Sequence, residues 1–187
     1  MWYKLKRIMM RPNGVEKQVR PKDIKETYTM AAKTQSSWTA TDYTAIYKSW
    51  KTIKEVVIET TFNKVWNWAN SNFWIATDST SSNSFYLNSN GIWYNNYCKI
   101  EYSVNWWGWQ EYRSWLSWLN AGWNNTVKFT IGRDSATLEL NWATNSYTYW
   151  SSEATFVQWI LDSATAQFIY AFTASAHWNV TITVTYN

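Results

Sequence analysis

This sequence of 187 residues contains a single cysteine, Cys98, and a single histidine, His177. One cysteine excludes a disulfide within the chain, and the clusters of histidine and cysteine that most zinc sites need are missing. A catalytic triad would have to use His177, which precedes Trp178 and has no nucleophile motif beside it. We therefore expect no cofactor, no metal site and no enzymatic activity.

Glycine, proline and long apolar runs are also scarce. The five glycines form no glycine-rich phosphate loop, and no stretch approaches the roughly 18 to 20 apolar residues that a membrane-spanning helix needs. The amino terminus has no apolar core of an export signal, because Lys6 and Arg7 interrupt its apolar residues and Arg11 and Pro12 follow them. These absences predict a protein without a membrane span and without an export signal.

Acidic residues offer only weak candidates for catalysis or metal binding. Glu55 and Glu59 lie four residues apart in an extended segment, so both belong to one strand face, as a glycosidase pair would need. Lys54 precedes Glu55 and no third acid lies between the two, so a solvated strand face is the better interpretation. Asp78 and Asn83 bound a Ser/Thr-rich tract, for which calcium binding is an alternative to an ordinary polar loop.

Tryptophan dominates what is present, with 17 residues, and tyrosine adds 13. Each ring combines a large apolar area with one polar group, and a core of this size cannot hold them all. Adjacent strand residues face opposite ways, so the cluster of Trp106, Trp107 and Trp109 should expose at least one ring. We predict a ligand-binding surface at this cluster and at Trp93 and Tyr94. Stacking on sugar rings and packing against another subunit are equal alternatives for these residues.

Alternating apolar and polar residues indicate strands along most of the chain. Val127, Phe129 and Ile131 share one face of the first strand of a hairpin, and Leu138 and Leu140 share one face of the second. Further strands are predicted at 53–62, 72–76, 84–87, 91–94, 97–104, 155–161, 166–173 and 178–186.

One segment has two interpretations. Residues 109–120 contain both a helical stripe and strand-forming aromatics, so helix and strand stay open for it. Many short strands with few charges still predict an all-β fold, an antiparallel β-sandwich of the jelly-roll or concanavalin A-like class.

Positive charge is concentrated at the amino terminus. Residues 1–25 hold eight basic and two acidic residues, a net charge of +6, whereas the whole chain carries +4. The turn signal Pro12-Asn13-Gly14 separates two extended stretches, which predicts a short β-hairpin ahead of the sandwich. We predict an attachment segment over 1–25 and a sandwich domain over 26–187. The predicted attachment contacts are those of Arg7, Arg11 and Arg20. No basic stripe continues beyond them, so nucleic acid is not an expected partner.

Two motifs resemble those of a known family. The opening Leu5-Lys6-Arg7-Ile8, with Gln18-Val19-Arg20-Pro21 after it, resembles the amino-terminal element of small tailed-phage virion proteins. In that family a short "QVRP" element precedes a concanavalin A-like (LamG-like) sandwich. The stretch 122–141, GWNNTVKFTIGRDSATLELN, resembles the hairpin of that sandwich. The motifs cover a small part of the chain and transfer no catalytic residue.

The resemblance implies a non-enzymatic structural protein of the phage virion, in a tail fibre, a baseplate or on the capsid surface, assembled in the host cytoplasm. The amino-terminal segment would dock onto other virion proteins, and the sandwich would form a homo-oligomer, with a trimer as one option. Its aromatic surface would bind host-surface glycans. The alternative hypothesis is a free carbohydrate-binding module or lectin at a cell surface, and a glycan-degrading enzyme ranks third.

Overall fold

The computed structural model describes residues 22–35, 40–64, 70–78, 83–88, 97–103, 109–117, 124–173 and 175–187. These ranges contain short antiparallel strands and one helix. In chain order the elements are β1 (Ile24–Met30), β2 (Lys33–Gln35), β3 (Ala40–Ala45), β4 (Ile53–Lys64), β5 (Asn70–Ala76), β6 (Ser84–Asn88), β7 (Tyr97–Ser103), β8 (Trp109–Ser117), β9 (Asn124–Gly132), β10 (Ser135–Leu140), β11 (Ala143–Thr148), α1 (Ser151–Leu161), β12 (Gln167–Thr173), β13 (Ser175–His177) and β14 (Val180–Tyr186).

The strands form two sheets. The first sheet has the order β1-β14-β4-β9-β10-β11. In addition, β13 pairs with the carboxyl-terminal end of β4, and β2 pairs with β13. The second sheet has the order β3-β12-β5-β6-β7-β8. This arrangement confirms the predicted all-β fold, an antiparallel sandwich of jelly-roll type.

The core lies between the two sheets, because alternate residues of the central strands face the opposite sheet and most of these residues are apolar. Two ring contacts join the sheets, with centroids 6.2 Å apart in both: Phe62 with Phe73, and Phe85 with Phe129. Phe73 also stacks on Tyr170 at 4.5 Å. The structure confirms burial of the five residues predicted from the hairpin, which are Val127, Phe129, Ile131, Leu138 and Leu140.

The prediction of a strand at 155–161 is wrong, because these residues belong to helix α1. The Glu153 carboxylate accepts a hydrogen bond from the Trp150 backbone N–H at 2.8 Å, which satisfies a donor at the start of the helix. Val157, Ile160 and Leu161 then fall on one helical face and are buried. Val157 and Ile160 are β-branched, which suits a strand, but tertiary packing of this apolar face favours the helix.

Other expectations are met or lie outside the described residues. The segment 109–120, for which helix and strand were both open, forms strand β8 over its described part. Three strands, β1 to β3, occupy the region before residue 46, where no alternation identified them. The predicted amino-terminal hairpin and the predicted strand at 91–94 lie outside the described residues. No helix in the described part of the chain has the length and apolarity needed to cross a bilayer.

Candidate functional site

An open groove of about 860 Å³ lies on the first sheet, on the face directed away from the core. Strands β4, β9 and β10 form its floor, and the segment between β13 and β14 forms one rim. This volume is within the range of about 300 to 1,000 Å³ that is typical of small-molecule sites. We call this surface the β4–β10 groove, and its main polar residues are Glu59, Thr61, Asn124, Thr126, Lys128, Glu139, Asn141 and Asn179.

Three charged residues lie side by side on the floor. Lys128 of β9 is the register partner of both Glu59 on β4 and Glu139 on β10. The Lys128 Nζ atom lies 3.1 Å from Glu139 Oε1, and this hydrogen bond, followed by the charge of Glu139, raises the pKa of Lys128. Among the described residues no ion pair reaches Glu59, which is exposed. The row therefore carries one net negative charge and presents the Glu59 carboxylate to the groove as a hydrogen-bond acceptor.

Trp178 forms the aromatic rim of the β4–β10 groove because the backbone bulges there. His177 pairs with Phe62, and Thr181 pairs with Glu59, so three residues on one side oppose two residues of β4. Such an extra residue is a β-bulge, which bends the strand and redirects a side chain. As a result, His177 and Val180 are buried while the two residues between them are exposed.

Hydrogen bonds fix this bulge against β4. The Trp178 backbone N–H donates to the Thr61 carbonyl oxygen at 2.9 Å. The Thr60 hydroxyl donates to the Asn179 carbonyl oxygen at 3.2 Å, and the Asn179 side chain accepts from the Ala32 N–H at 3.0 Å. The indole of Trp178 is 47% exposed on this rigid support. Its orientation therefore depends on the sheet and not on a free loop.

His177 lies directly behind the aromatic rim. Its Nδ1 atom donates to the Trp178 carbonyl oxygen at 2.7 Å, and its ring meets the edge of Tyr170 at 4.5 Å between centroids. Burial of the ring lowers the pKa of His177. His177, the single histidine of the sequence, is therefore a buried support for the bulge.

We expect the titration of His177 to make the fold less stable in mild acid. Because the folded pKa lies below the ordinary value of 6.5, the unfolded chain binds the proton more readily. The free energy of unfolding should be constant above pH 6.5 and should fall as the pH decreases from 6.5 towards about 5, before ordinary carboxylates titrate. Urea unfolding of the wild type and His177→Gln at several pH values measures this, and a slope of equal size in both proteins would contradict it.

The opposite rim is the turn between β10 and β11. Asn141 has a left-handed backbone with φ of 54°, a conformation that asparagine tolerates better than most residues. It exchanges two hydrogen bonds with the Thr126 backbone, at 2.8 and 2.9 Å, and its side-chain amide donates to Asn125 Oδ1 at 3.2 Å. Asn63 donates to Asn124 Oδ1 at 3.3 Å beside it. The polar groups of this rim are therefore held in place before any ligand binds.

The structure does not bring the sequence-predicted site residues together within its described part. Trp93, Tyr94, Trp106 and Trp107 lie outside the described residues, and Trp109 is the first residue of β8. Arg7, Arg11 and Arg20 also lie outside them, so attachment by these arginines stays a prediction.

The sequence interpretation treated the residues of the β4–β10 groove as an ordinary surface. The sequence assigns Glu59 to a solvated strand face, but nothing in it links Glu59 to Glu139 or to Lys128. In the described part of the chain no group of three acidic, histidine or cysteine side chains is placed to hold a metal ion.

The chain matches no family model and no curated protein, but its fold is similar to those of solved structures. The galectin LEC-6 of Caenorhabditis elegans superposes with a TM-score of 0.54 at 8% identity, over 82% of this chain and 94% of that chain. The carbohydrate-binding module CBM66 of Bacillus subtilis superposes with a TM-score of 0.50 at 8% identity, over 82% of this chain and 91% of that chain. CG-16, a homodimeric agglutinin from chicken liver, superposes with a TM-score of 0.52 at 8% identity, over 73% of this chain and 94% of that chain. At these identities the likeness establishes the fold, a sandwich of the galectin and carbohydrate-binding-module type.

Proposed function

We propose that this chain is a non-enzymatic carbohydrate-binding protein whose sugar site is the β4–β10 groove. The observation that carries the proposal is the position of Trp178, which is exposed and rigidly held at the edge of a polar floor. The similarity of the fold to a galectin and to a carbohydrate-binding module supports the same proposal. It favours the lectin hypothesis over a role specific to a virion.

The groove has the two chemical features that a saccharide needs. A sugar ring presents an apolar face of C–H groups, which packs on an indole, and a rim of hydroxyl groups, which need hydrogen-bond partners. Trp178 provides the ring surface, and the Glu59 carboxylate accepts hydrogen bonds from hydroxyl groups. Lys128 and Asn124 are exposed or half-buried on the same face and add donors. The hydrogen bonds that fix the rims reduce the entropy that binding would otherwise cost.

The arrangement of carboxylates favours binding over hydrolysis. Glu59 and Glu139 lie on opposite sides of Lys128, so their backbones are two strand spacings, or about 10 Å, apart. A retaining glycosidase needs its two carboxyl groups about 5 to 5.5 Å apart. An inverting enzyme needs room for a water molecule between them, but here Lys128 lies between the two in the strand register and its ammonium pairs with Glu139. We therefore assign these residues to recognition.

A glycan array followed by titration calorimetry tests this function, with Glu59→Gln as the site variant. Hydrogen bonds to a charged group contribute about 1.5 to 3 kcal/mol, so the variant should bind the best glycan at least ~10-fold more weakly. Glu55→Gln is the matched control, because Glu55 lies on the same strand and outside the groove. Absence of any glycan signal for the wild type, or equal losses in both variants, would contradict the proposal.

A further inference from the structure

Among the described strands, β11 is an edge of the first sheet, and its own residues lack the usual protection against pairing. It contains no charged residue and no proline, and in the described part of the chain β10 is the strand that pairs with it. Natural edge strands usually carry a charge, a proline or a bulge that blocks pairing with another chain. The opposite edge, β1, has such charges in Lys25 and Glu26. The uncharged edge at β11 is therefore suited to pairing with a further strand, whereas the charged edge at β1 is not.

The free hydrogen-bonding groups of this edge can be assigned from its pairing. Leu140 and Ala143 close a two-residue turn, and the Tyr149 N–H donates to the Asp134 carbonyl oxygen at 3.0 Å. Odd-numbered residues from 143 to 149 therefore direct their backbone groups towards β10. The residues that alternate with them direct their N–H and C=O groups outward. These residues are Thr144, Ser146 and Thr148.

The sequence around β11 is symmetric about Ser146. It reads WATNSYTYW from Trp142 to Trp150, with threonine two residues on either side of the centre and tryptophan four residues on either side. Both tryptophans are among the most exposed apolar side chains of the described residues, at 80% for Trp142 and 74% for Trp150. An antiparallel pair of identical strands brings together residues that lie at equal distances on either side of its two-fold axis.

We propose that two copies of the chain dimerise by antiparallel pairing of β11 with β11 about a two-fold axis at Ser146. In this register Thr144 of each copy faces Thr148 of the other, and the outward backbone groups meet each other in about six hydrogen bonds. Trp142 of each copy lies opposite Trp150 of the other, so the partner covers both exposed rings. The register that pairs the outward backbone groups therefore also places threonine opposite threonine and tryptophan opposite tryptophan. The two first sheets join into one continuous sheet.

The dimer would place both β4–β10 grooves on the same side, because a two-fold axis perpendicular to a sheet keeps the two outer faces together. This consequence rests on the proposed sugar-binding function. Two sites on one face can bind a glycan-covered surface simultaneously, which raises the overall affinity without any new contact within a site. Dimerisation itself does not require the groove to bind a sugar, so the two proposals fail independently.

Analytical ultracentrifugation of the wild type and Ser146→Lys tests the dimer. The wild type should sediment as a dimer, and the variant, which places two ammonium groups together at the axis, should dimerise at least ~10-fold more weakly with an unchanged circular dichroism spectrum. Thr29→Lys on β1 is the matched control, and it should remain dimeric. A monomeric wild type at every concentration, or a Ser146→Lys variant that dimerises as the wild type does, would overturn the proposal.

Cross-linking provides a second test that does not depend on how Ser146→Lys folds. Paired Cα atoms at a hydrogen-bonded position are about 5.5 Å apart, which suits a disulfide. In a Cys98→Ser background, Ser146→Cys should form a covalent dimer on mild oxidation, whereas Thr29→Cys should not. Failure of Ser146→Cys to cross-link, or equal cross-linking at the two positions, would show that the copies do not meet at β11.

Discussion

Replacing Trp178 with alanine should weaken glycan binding about 30-fold while leaving the fold intact. Buried aromatic anchors at the centre of an interface typically cost about 2 kcal/mol or more when truncated, which corresponds to this factor. The bulge that presents the ring is held by the hydrogen bond from the Trp178 backbone N–H to the Thr61 carbonyl oxygen, and this bond does not need the indole. Circular dichroism should therefore be unchanged, and titration calorimetry with the best glycan of the array measures the loss.

Trp50→Ala is the matched control for this experiment. Trp50 is fully exposed in the turn after β3 and lies outside the β4–β10 groove. The Trp50→Ala substitution removes the same type of side chain from the surface but leaves the groove unchanged, so glycan affinity should stay within about twofold of the wild type. If Trp50→Ala lost as much affinity as Trp178→Ala, the rings would act as a general adhesive surface and the groove would not be the site.

Phe129→Ala should lower the free energy of unfolding by about 3 to 5 kcal/mol, the usual range for a large aromatic side chain lost from a core. Phe129 is completely buried, lies between Ile58 of β4 and Leu138 of β10, and meets Phe85 of the second sheet. Its removal leaves a cavity that adjoins both sheets. Urea unfolding followed by tryptophan fluorescence measures the change.

The neighbouring residue provides the comparison. Thr130 is on the outer face of β9 and half-buried, so Thr130→Ala should cost less than about 1 kcal/mol. Similar decreases in the free energy of unfolding for Phe129→Ala and Thr130→Ala would contradict the assignment of the core to one face of the first sheet. They would indicate that another subunit covers the outer face, which is also the face of the β4–β10 groove.

The hairpin of β9 and β10 illustrates what could be predicted from the sequence. Its two strands alternate strictly and are separated by a short polar turn, so local pattern alone identifies the pairing and the buried face. Helix α1 was missed because Val157 and Ile160 favour strands locally. What stabilises the helix instead is a buried face and the hydrogen bond between Glu153 and Trp150.

The candidate site was harder to predict, because it depends on register between strands that are distant in sequence. Glu59 and Lys128 become neighbours only when β4 pairs with β9, and nothing near either residue indicates that pairing. Trp178 also looked ordinary beside the tryptophan clusters. Its exposure follows from one extra residue opposite Thr60 and Thr61, which can be counted only when the paired strands are known.

The most direct test of the central claim, that the β4–β10 groove binds carbohydrate, is nuclear magnetic resonance mapping of the best glycan from the array. The indole N–H resonance of Trp178, assigned with Trp178→Phe, should shift during the titration, and the backbone amides of Thr61 and Lys128 should shift with it. The indole resonance of Trp50 should not move. Shifts confined to residues outside the groove, with the Trp178 resonance unchanged at saturation, would contradict the account.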